Sequence, residues 1–312
     1  MNDFILIHNR GSGANEGDAA SSEVATIVAE EFAAHGKNVG VRVVRPEAVE
    51  AAIRQAVSEK PAALLVAGGD GTVATAAQCL GGTGIPLGIV PMGTFNLAAR
   101  DLGVPLDLPD AAKFLASANT FPIDVLEVSG RACLCTLVLG FYPEFSNLFE
   151  KRDHGGRWWR KSLKLVSGLR TAFIAGRPLL LEWKSPEKSG SAKSKFASFV
   201  PGRYRESAGL IPARTDFQSG SLTGYIGTHR SPAAAMRAIF NYALGKQEDD
   251  PQTIVINAPE LTLTARNQRR CKVMLDGEIL TMNFPIKLRI LPRHLHVLTT
   301  AEIIAEHTNG GP

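Results

Sequence analysis

The chain has 312 residues, of which 45% are hydrophobic and 21% charged, and its formal net charge is +4. Such values are ordinary for a globular protein and exclude a collagen, a coiled coil or a wholly disordered chain. The length suits two domains, taking roughly 100–200 residues per domain, and the small net charge disfavours a nucleic-acid binder that depends on overall charge.

Short apolar runs and amphipathic segments alternate through the first third of the chain. The predicted elements, in chain order, are strand 4–7, helix 21–34, strand 39–44, helix 46–57, strand 62–67, helix 72–80, strand 85–90 and helix 96–102. Strands that are apolar along their whole length and alternate with helices are typical of a parallel sheet covered on both faces. Residues 1–122 therefore predict a doubly wound α/β domain.

Short strand candidates separated by turns follow, a pattern typical of a mostly β domain. They are 121–128, 132–139, 179–183, 221–226, 253–256, 260–264, 273–275 and 287–291. Two helical stretches, 161–174 and 233–244, interrupt them, and the Ser- and Lys-rich stretch 184–195 predicts a mobile surface loop. Residues 123–298 therefore predict a second domain, mostly β with helical insertions. The tail, about 299–312, is expected to form a short helix that packs back on the first domain.

Targeting signals are not evident in the sequence. No apolar run approaches the roughly 20 residues of a membrane-spanning helix, and the N-terminal residues lack the positive region of a signal peptide. The four cysteines are irregularly spaced and complete no zinc set. These features predict a cytoplasmic protein without a transmembrane segment.

The sequence Gly68-Gly69-Asp70-Gly71-Thr72 joins a predicted strand to a predicted helix. Glycines let the backbone approach a ligand closely, and the helix N-terminus behind them suits a phosphate group. An Asp inside a phosphate loop requires a cation between the charges, so Asp70 predicts Mg²⁺, bound directly or through water. The alternative is a tight turn in which Asp70 and Thr72 only cap the helix.

Two further polar loops follow strands at equivalent places in the alternation. They are Asn9-Arg10-Gly11-Ser12-Gly13 and Pro91-Met92-Gly93-Thr94-Phe95-Asn96. All three loops are expected at the carboxyl edge of the parallel sheet, where open α/β sheets bind ligands.

Separate motifs occur together in the chain, namely Gly68–Thr72, Asn9–Gly13, the run from Gly93 to Gly103, and Leu275-Asp276-Gly277-Glu278 near the C-terminus. In these motifs the chain resembles the diacylglycerol kinase catalytic-domain family over nearly its whole length. The resemblance implies an N-terminal nucleotide-binding α/β domain, a C-terminal β-sandwich domain and an active site in the cleft between them. It also implies transfer of the γ-phosphoryl group of ATP to a lipid hydroxyl, with Mg²⁺.

The resemblance assigns roles to particular residues. The nucleotide and its phosphates would lie against Asn9, Ser12, Gly13, Gly68, Gly69, Gly71, Thr72, Gly93, Thr94 and Asn96. Asp70 and Asp276 would lie at the metal. Asp276 would also be the general base that accepts the lipid hydroxyl proton, assisted by Glu278. Considered alone, Asp276-Gly277 could equally be a hairpin turn.

Several positions differ from the family pattern. Leu97 replaces an Asp that commonly follows Asn96, and Arg10 replaces a Pro. The polar pair expected near residues 136–140 is missing. An Asp-Gly-x-Leu-Asp element, tied to a structural metal in some members, is here Ser219-Gly220-Ser221-Leu222-Thr223. These differences argue against a structural Mg²⁺ site and for a low turnover.

The segment 151–177 is rich in Lys and Arg and contains Trp158 and Trp159. Basic residues with paired Trp beside an amphipathic helix suit an anionic membrane surface. The alternative is a core-packed helix with a solvated basic face, and RNA binding is a weaker third option.

The sequence as a whole predicts an ATP- and Mg²⁺-dependent lipid kinase that docks reversibly on a membrane. Diacylglycerol is the default acceptor, and no nucleic-acid partner is expected. One rival hypothesis is a lipid- or nucleotide-binding protein with weakened catalysis. Another is a kinase of a soluble acceptor such as NAD, since NAD kinases share a Gly-Gly-Asp-Gly-Thr loop.

Overall fold

The computed structural model describes residues 3–11, 18–140, 176–203, 214, 216–243 and 247–308. Ser12 and Gly13, nearly all of segment 151–177 and the predicted helix 161–174 therefore lie outside the described residues.

The first part of the chain alternates strands and helices. Its strands are β1 (Phe4–Asn9), β2 (Val39–Val44), β3 (Ala63–Gly68) and β4 (Leu87–Pro91), and they pair in parallel in the order β2-β1-β3-β4. Its helices are α1 (Asp18–Ala34), α2 (Val49–Ser58), α3 (Asp70–Leu80), α4 (Leu97–Asp101) and α5 (Leu108–Ser117), and a 3-10 turn, Pro46–Ala48, precedes α2.

Both faces of this parallel sheet are covered, as its apolar strands predict. All six residues of β3 are buried. Leu64 faces a core that includes Ile53 of α2 and Ala76 of α3, whereas Leu65 faces a core that includes Val28 of α1 and Leu115 of α5. Helices therefore lie on both sides of the sheet, in the doubly wound arrangement.

The second part of the chain is rich in strands. They are β5 (Asn119–Val128), β6 (Arg131–Cys133), β7 (Leu137–Gly140), β8 (Leu179–Lys184), β9 (Ser189–Ser194), β10 (Phe196–Pro201), β11 (Leu222–Gly227), β12 (Thr253–Ala258), β13 (Glu260–Ala265), β14 (Arg270–Leu275), β15 (Glu278–Asn283) and β16 (Ile286–Thr299). An antiparallel six-stranded sheet has the order β12-β11-β10-β7-β14-β15. The first sheet continues from β4 through β16 to β13, β8 and β9.

The 14-residue strand β16 connects the two parts of the fold. Its first residues pair with β13, and its later residue Val297 pairs with Leu87 of β4 in parallel. One hydrophobic core takes Leu181 and Leu263 from the first sheet, and Phe199 and Val273 from the second. Such sharing is expected of two sheets that pack face to face. The mixed α/β class is thereby confirmed, and the boundaries 1–122 and 123–298 stay a prediction.

Two expectations about local structure are wrong. The stretch 184–195 is not a loop, because β9 within it pairs antiparallel with β8. Lys193 lies on β9, a strand at the edge of the sheet, where charge discourages pairing with another chain. The predicted strand 132–139 is broken into β6 and β7 around residues 134–136, whose N–H groups bond to the Asp276 carboxylate.

Two later helices are α6 (Pro232–Ala243) and α7 (Ala301–Thr308). Ile303 and Ile304 of α7 pack against the core on the α2–α3 side of the parallel sheet. The His307 ring stacks on Phe217 with 4.1 Å between ring centroids. Among the described helices, none combines the length and apolar character needed to span a bilayer.

Candidate active site

The loop between β3 and α3 is built around close backbone contacts. A Cβ atom on Gly68 would lie 2.5 Å from the Thr72 side chain, so only glycine fits there. Asn9 Nδ2 donates a 2.9 Å hydrogen bond to Thr72 Oγ1, and Asn9 Oδ1 accepts one from the Gly11 N–H at 3.1 Å. The Asn9 side chain thus ties the loop after β1 to the start of α3.

The loop between β4 and α4 touches the loop after β3. A Cβ atom on Gly93 would lie 2.7 Å from the Cα of Gly69, so the two backbones meet at paired glycines. The Asn96 amide closes this second loop, because it accepts from the Gly93 N–H at 2.8 Å and donates to the Gly93 carbonyl at 2.9 Å. Asn96 itself has a φ of +50°, which Asn tolerates better than most residues. Thr94 lies exposed in the same loop.

The Asp70 carboxylate holds the start of α4. Its two oxygens accept the N–H groups of Asn96, at 3.0 Å, and Leu97, at 2.6 Å. The N-cap of α3 is Gly69, and these two hydrogen bonds of the Asp70 carboxylate go to α4 rather than to its own helix. Burial raises the pKa of Asp70, the two N–H groups lower it, and the nearby charge of Asp276 raises it further.

Asp276 and Gly277 form the turn between β14 and β15. Their φ angles are +46° and +93°, and Leu275 pairs directly with Glu278. Two residues with positive φ joining paired strands are a type I′ hairpin turn. The turn is therefore a hairpin, as the Asp-Gly pair alone could suggest, and its conformation also sets the direction of the Asp276 side chain.

The Asp276 carboxylate is buried and surrounded by donors. Its Oδ1 accepts the N–H groups of Cys135 and Thr136, both at 2.8 Å, and the Cys133 thiol at 3.3 Å. Its Oδ2 accepts the Leu134 N–H at 2.6 Å. The chain leaves the expected strand at residues 134–136 because their amides turn toward this carboxylate. Burial raises the pKa of Asp276, and these four hydrogen bonds oppose that rise.

The hairpin turn meets the loop after β3. A Cβ atom on Gly277 would lie 3.8 Å from the Asp70 Cβ and 3.9 Å from its Oδ2. The Glu278 carboxylate lies beside Gly71, where any larger residue would collide with it. Segments about 200 residues apart in sequence therefore face each other across one site, with two carboxylates close enough for their charges to interact.

The structure brings most of the predicted residues together. They are Asn9, Gly68, Gly69, Asp70, Gly71, Thr72, Gly93, Asn96, Asp276 and Glu278. Sequence reasoning missed the amides of residues 134–136, which carry no side-chain signal. It also missed the buried pair of Asp101 and Arg214, since Asp101 received no role within the motif Gly93–Gly103 and Arg214 belongs to no predicted motif.

The fit of Mg²⁺ can be judged from the oxygen atoms present. Within the part of the chain that the structure describes, no three His, Cys, Asp or Glu residues cluster as a metal cage. Each Asp70 oxygen accepts one N–H and keeps another lone pair. Mg²⁺ commonly retains waters and takes one or two carboxylates plus substrate phosphates. The residues therefore fit a Mg²⁺ ion held largely by phosphate and water.

Direct hydrogen bonds hold the segment 219–223, which differs from the family's metal-linked element. Asp124, which is buried, accepts the N–H groups of Gly220 at 2.7 Å and Arg293 at 2.8 Å. Gln218 Nε2 donates to the Pro122 carbonyl at 2.6 Å. The Thr223 hydroxyl is buried and has no hydrogen-bond partner among the described residues. A hydroxyl there supplies no charge for a cation, and the loss of a structural metal stays a prediction.

Residues 3–128 match the family model of the diacylglycerol kinase catalytic domain. An uncharacterized protein, sll0036, of Synechocystis sp. is 24% identical over 266 residues, which cover 81% of this chain and 58% of that protein. A diacylglycerol kinase of Mycobacterium tuberculosis is 53% identical over 57 residues, 18% of each chain. Each of these two matches therefore covers less than two thirds of the relative's own length.

Solved structures show the same fold. Two from Bacillus anthracis, one of them described as a diacylglycerol kinase, have TM-scores of 0.76 and 0.70, at 21% and 18% identity. Each covers 96% of this chain, and this chain covers 96% and 97% of them. The resemblance to the diacylglycerol kinase catalytic-domain family is therefore confirmed, and residues 3–128 are the part of the chain that its model matches.

Proposed function

We propose that this protein is an ATP- and Mg²⁺-dependent kinase that phosphorylates a lipid hydroxyl. The observation that supports this most is the meeting of two loops. The Gly68–Thr72 loop offers close backbone approach at the start of α3, and the Asp276–Glu278 turn brings carboxylates against it. A phosphate cradle facing a base is what phosphoryl transfer from nucleotide to alcohol requires.

The proposed reaction assigns one task to each group. The acceptor oxygen bonds to the γ-phosphorus, the bond to the bridging oxygen breaks, ADP leaves, and the hydroxyl proton passes to the Asp276 carboxylate. Burial raises the pKa of Asp276, which makes it a better proton acceptor than an ordinary Asp. Its Oδ2 accepts a single N–H and so keeps a lone pair for the proton. Bound Mg²⁺ would neutralise phosphate charge beside Asp70.

Diacylglycerol is the proposed acceptor, because the matched family model and the M. tuberculosis relative carry that name. We further propose that the protein is cytoplasmic and reaches its substrate by reversible docking on a membrane. The basic, Trp-containing segment 151–177 is the proposed contact, on sequence grounds alone. Sphingoid base, ceramide, phosphatidylglycerol or another polyol lipid would suit the same chemistry.

Two observations favour a second candidate, a binding protein with weak catalysis. All four oxygens of Asp70 and Asp276 already accept hydrogen bonds from backbone N–H groups. Leu97 supplies no carboxylate at the start of α4, where the family commonly has one. Both features lower the charge available for catalysis without impairing the glycine loops.

Labelled phosphate decides between these candidates. The protein is incubated with γ-labelled Mg-ATP and a mixed lipid extract in micelles, and the labelled lipids are separated and identified. Asp276→Asn is the test variant, and Asp107→Asn, at an exposed position, is the matched control. Labelled lipid from the parent and the control, with none from Asp276→Asn, supports a lipid kinase. ATP binding without labelled lipid supports the binding protein.

A further inference from the structure

Arg214 is a buried cation fixed on one side. Its side chain is 2% exposed, and its Nε donates a 2.6 Å hydrogen bond to Asp101 Oδ2. The Arg214 backbone N–H also donates to Asp101 Oδ1, at 3.1 Å. The guanidinium carbon lies 4.6 Å from the centroid of the Phe217 ring. One edge and one face of the guanidinium are therefore held in place.

A second donor of the guanidinium has no acceptor in the part of the chain that the structure describes. Arg214 Nη1 is buried and has no hydrogen-bond partner among the described residues. A buried donor without an acceptor is costly, by about 1–3 kcal/mol and more when it is charged. Such a donor calls for an explanation, and a bound ion or water is one of those available. Arg42 Nη1 is also buried without a partner among the described residues, so the case for Arg214 rests on its place in the fold as well. An arginine donor in this state suits an anion, above all a phosphate group.

This unpaired donor lies next to the proposed active site. Asp101 is the last residue of α4, and the Asp70 carboxylate holds the first residues of that five-residue helix. Four residues of helix advance only about 6 Å. Phe217, beneath the guanidinium, belongs to the same core as Ala98 of α4 and Leu134 of the turn that binds Asp276.

The electrostatics agree with this placement. Burial lowers the pKa of a guanidinium, but the Asp101 carboxylate and the charge of Asp276 outweigh burial and raise the pKa of Arg214. Arg214 is therefore charged at every working pH. The Gly68–Thr72 loop contains no Lys or Arg, and it brings a multiply charged phosphate toward Asp70 and Asp276. A fixed cation beside this site would offset their repulsion.

We propose that Arg214 is a catalytic residue whose Nη1 donates a hydrogen bond to the phosphoryl group during its transfer. This inference rests on the proposed function. Arg214 keeps all its protons, since the hydroxyl proton goes to Asp276 and the electron pair of the cleaved P–O bond leaves on ADP. Asp101 is a positioning residue that aims the guanidinium. The rival explanation is a purely structural ion pair that fastens residue 214 to α4.

Three variants test the proposal. Arg214→Lys and Asp101→Asn alter the pair, and Arg42→Gln breaks a comparable 2.6 Å pair with Glu59 that lies on the surface. Activity is measured well below each Tm, so that loss of stability does not appear as loss of rate. We expect Arg214→Lys to lower kcat by about 100-fold, the usual effect of removing one donor to transition-state charge. We expect a smaller loss for Asp101→Asn and none for Arg42→Gln.

A second readout separates this inference from the proposed function. Inorganic phosphate is added, and its effect on Tm is measured for the parent and each variant. If the parent phosphorylates lipid, a kcat within twofold of the parent for either folded variant of the pair overturns the proposal. If Arg214→Lys does not fold, Asp101→Asn decides. If the parent is inactive, a phosphate-dependent rise in Tm that both variants lose upholds an anion site at Arg214. No such rise in the parent overturns it.

Discussion

Replacing Asp276 by Asn separates the structural task of this residue from its proposed chemical one. The carboxylate accepts three backbone N–H groups and one thiol. An Asn amide offers one oxygen and one NH2 group. If its oxygen keeps the place of Oδ1, its nitrogen faces the Leu134 N–H, 2.6 Å away in the parent. Two donors then oppose each other in a buried site.

The size of the effect follows from that geometry. Losing one charge-assisted hydrogen bond costs about 1.5–3 kcal/mol, and leaving a buried N–H unsatisfied costs about 1–3 kcal/mol. Removing a buried charge offsets part of this, because burial raises the pKa of Asp276. We expect a net loss of roughly 2–4 kcal/mol in the free energy of unfolding. For a chain of 312 residues, Tm should fall by about 3–6 °C.

Calorimetry and denaturant unfolding of the parent, Asp276→Asn and Asp107→Asn measure this effect. Asp107 is exposed and makes no side-chain cap hydrogen bond, so its variant should match the parent. Far-UV circular dichroism confirms that Asp276→Asn folds before activity is compared. If Asp276→Asn is as stable as the parent or more so, burial of the charge outweighs the four hydrogen bonds, and the structural argument is wrong.

Three further predictions concern other residues. Asp70→Asn should weaken Mg-ATP binding and remove activity, since an amide cannot accept both α4 N–H groups or neutralise a cation; unchanged ATP affinity by calorimetry would contradict this. Burial would raise the pKa of Asp250, but the Gln252 N–H and the His229 ring lower it overall. Asp250 therefore stabilises the fold above the unfolded pKa of roughly 3.9, and this contribution is lost as pH falls through the folded value. Unfolding of Asp250→Asn should depend less on pH between about 2 and 5, and an equal dependence would refute the assignment. Burial raises the pKa of Cys271 to about 11, so its thiol should react with iodoacetamide far more slowly in the folded than in the unfolded protein, as peptide mass spectrometry can measure.

The alternation of apolar strands with amphipathic helices was enough to predict the parallel sheet. Strand β3 is buried on both sides, and its unbroken apolar run shows this directly. Helix α5 was missed, although Asp107 and a Pro precede its buried positions Ala112 and Leu115. In β9, small and charged residues resemble a loop, and only pairing with β8 makes them a strand.

The site was predictable as a set of motifs but not as a set of contacts. Glycines and an Asp before a helix carry a local signal, so the Gly68–Thr72 loop could be recognised. The partners of Asp276 are amides 140–142 residues away, and a backbone amide has no sequence signature. The same holds for Arg214 and Asp101, which lie 113 residues apart and meet only because α4 and Phe217 share one core.

The proposed lipid kinase activity is measured by transfer of label from γ-labelled Mg-ATP to purified diacylglycerol in micelles. NAD⁺ is offered as the acceptor in a parallel reaction. The parent and Asp276→Asn are compared at a temperature where both are folded, and lipid product is quantified against ADP formed. We expect one labelled lipid per ADP from the parent, no labelled NAD⁺ product, and no transfer by Asp276→Asn despite ATP affinity within a few-fold of the parent. Equal transfer by both proteins, or label only in NAD⁺, would contradict this expectation.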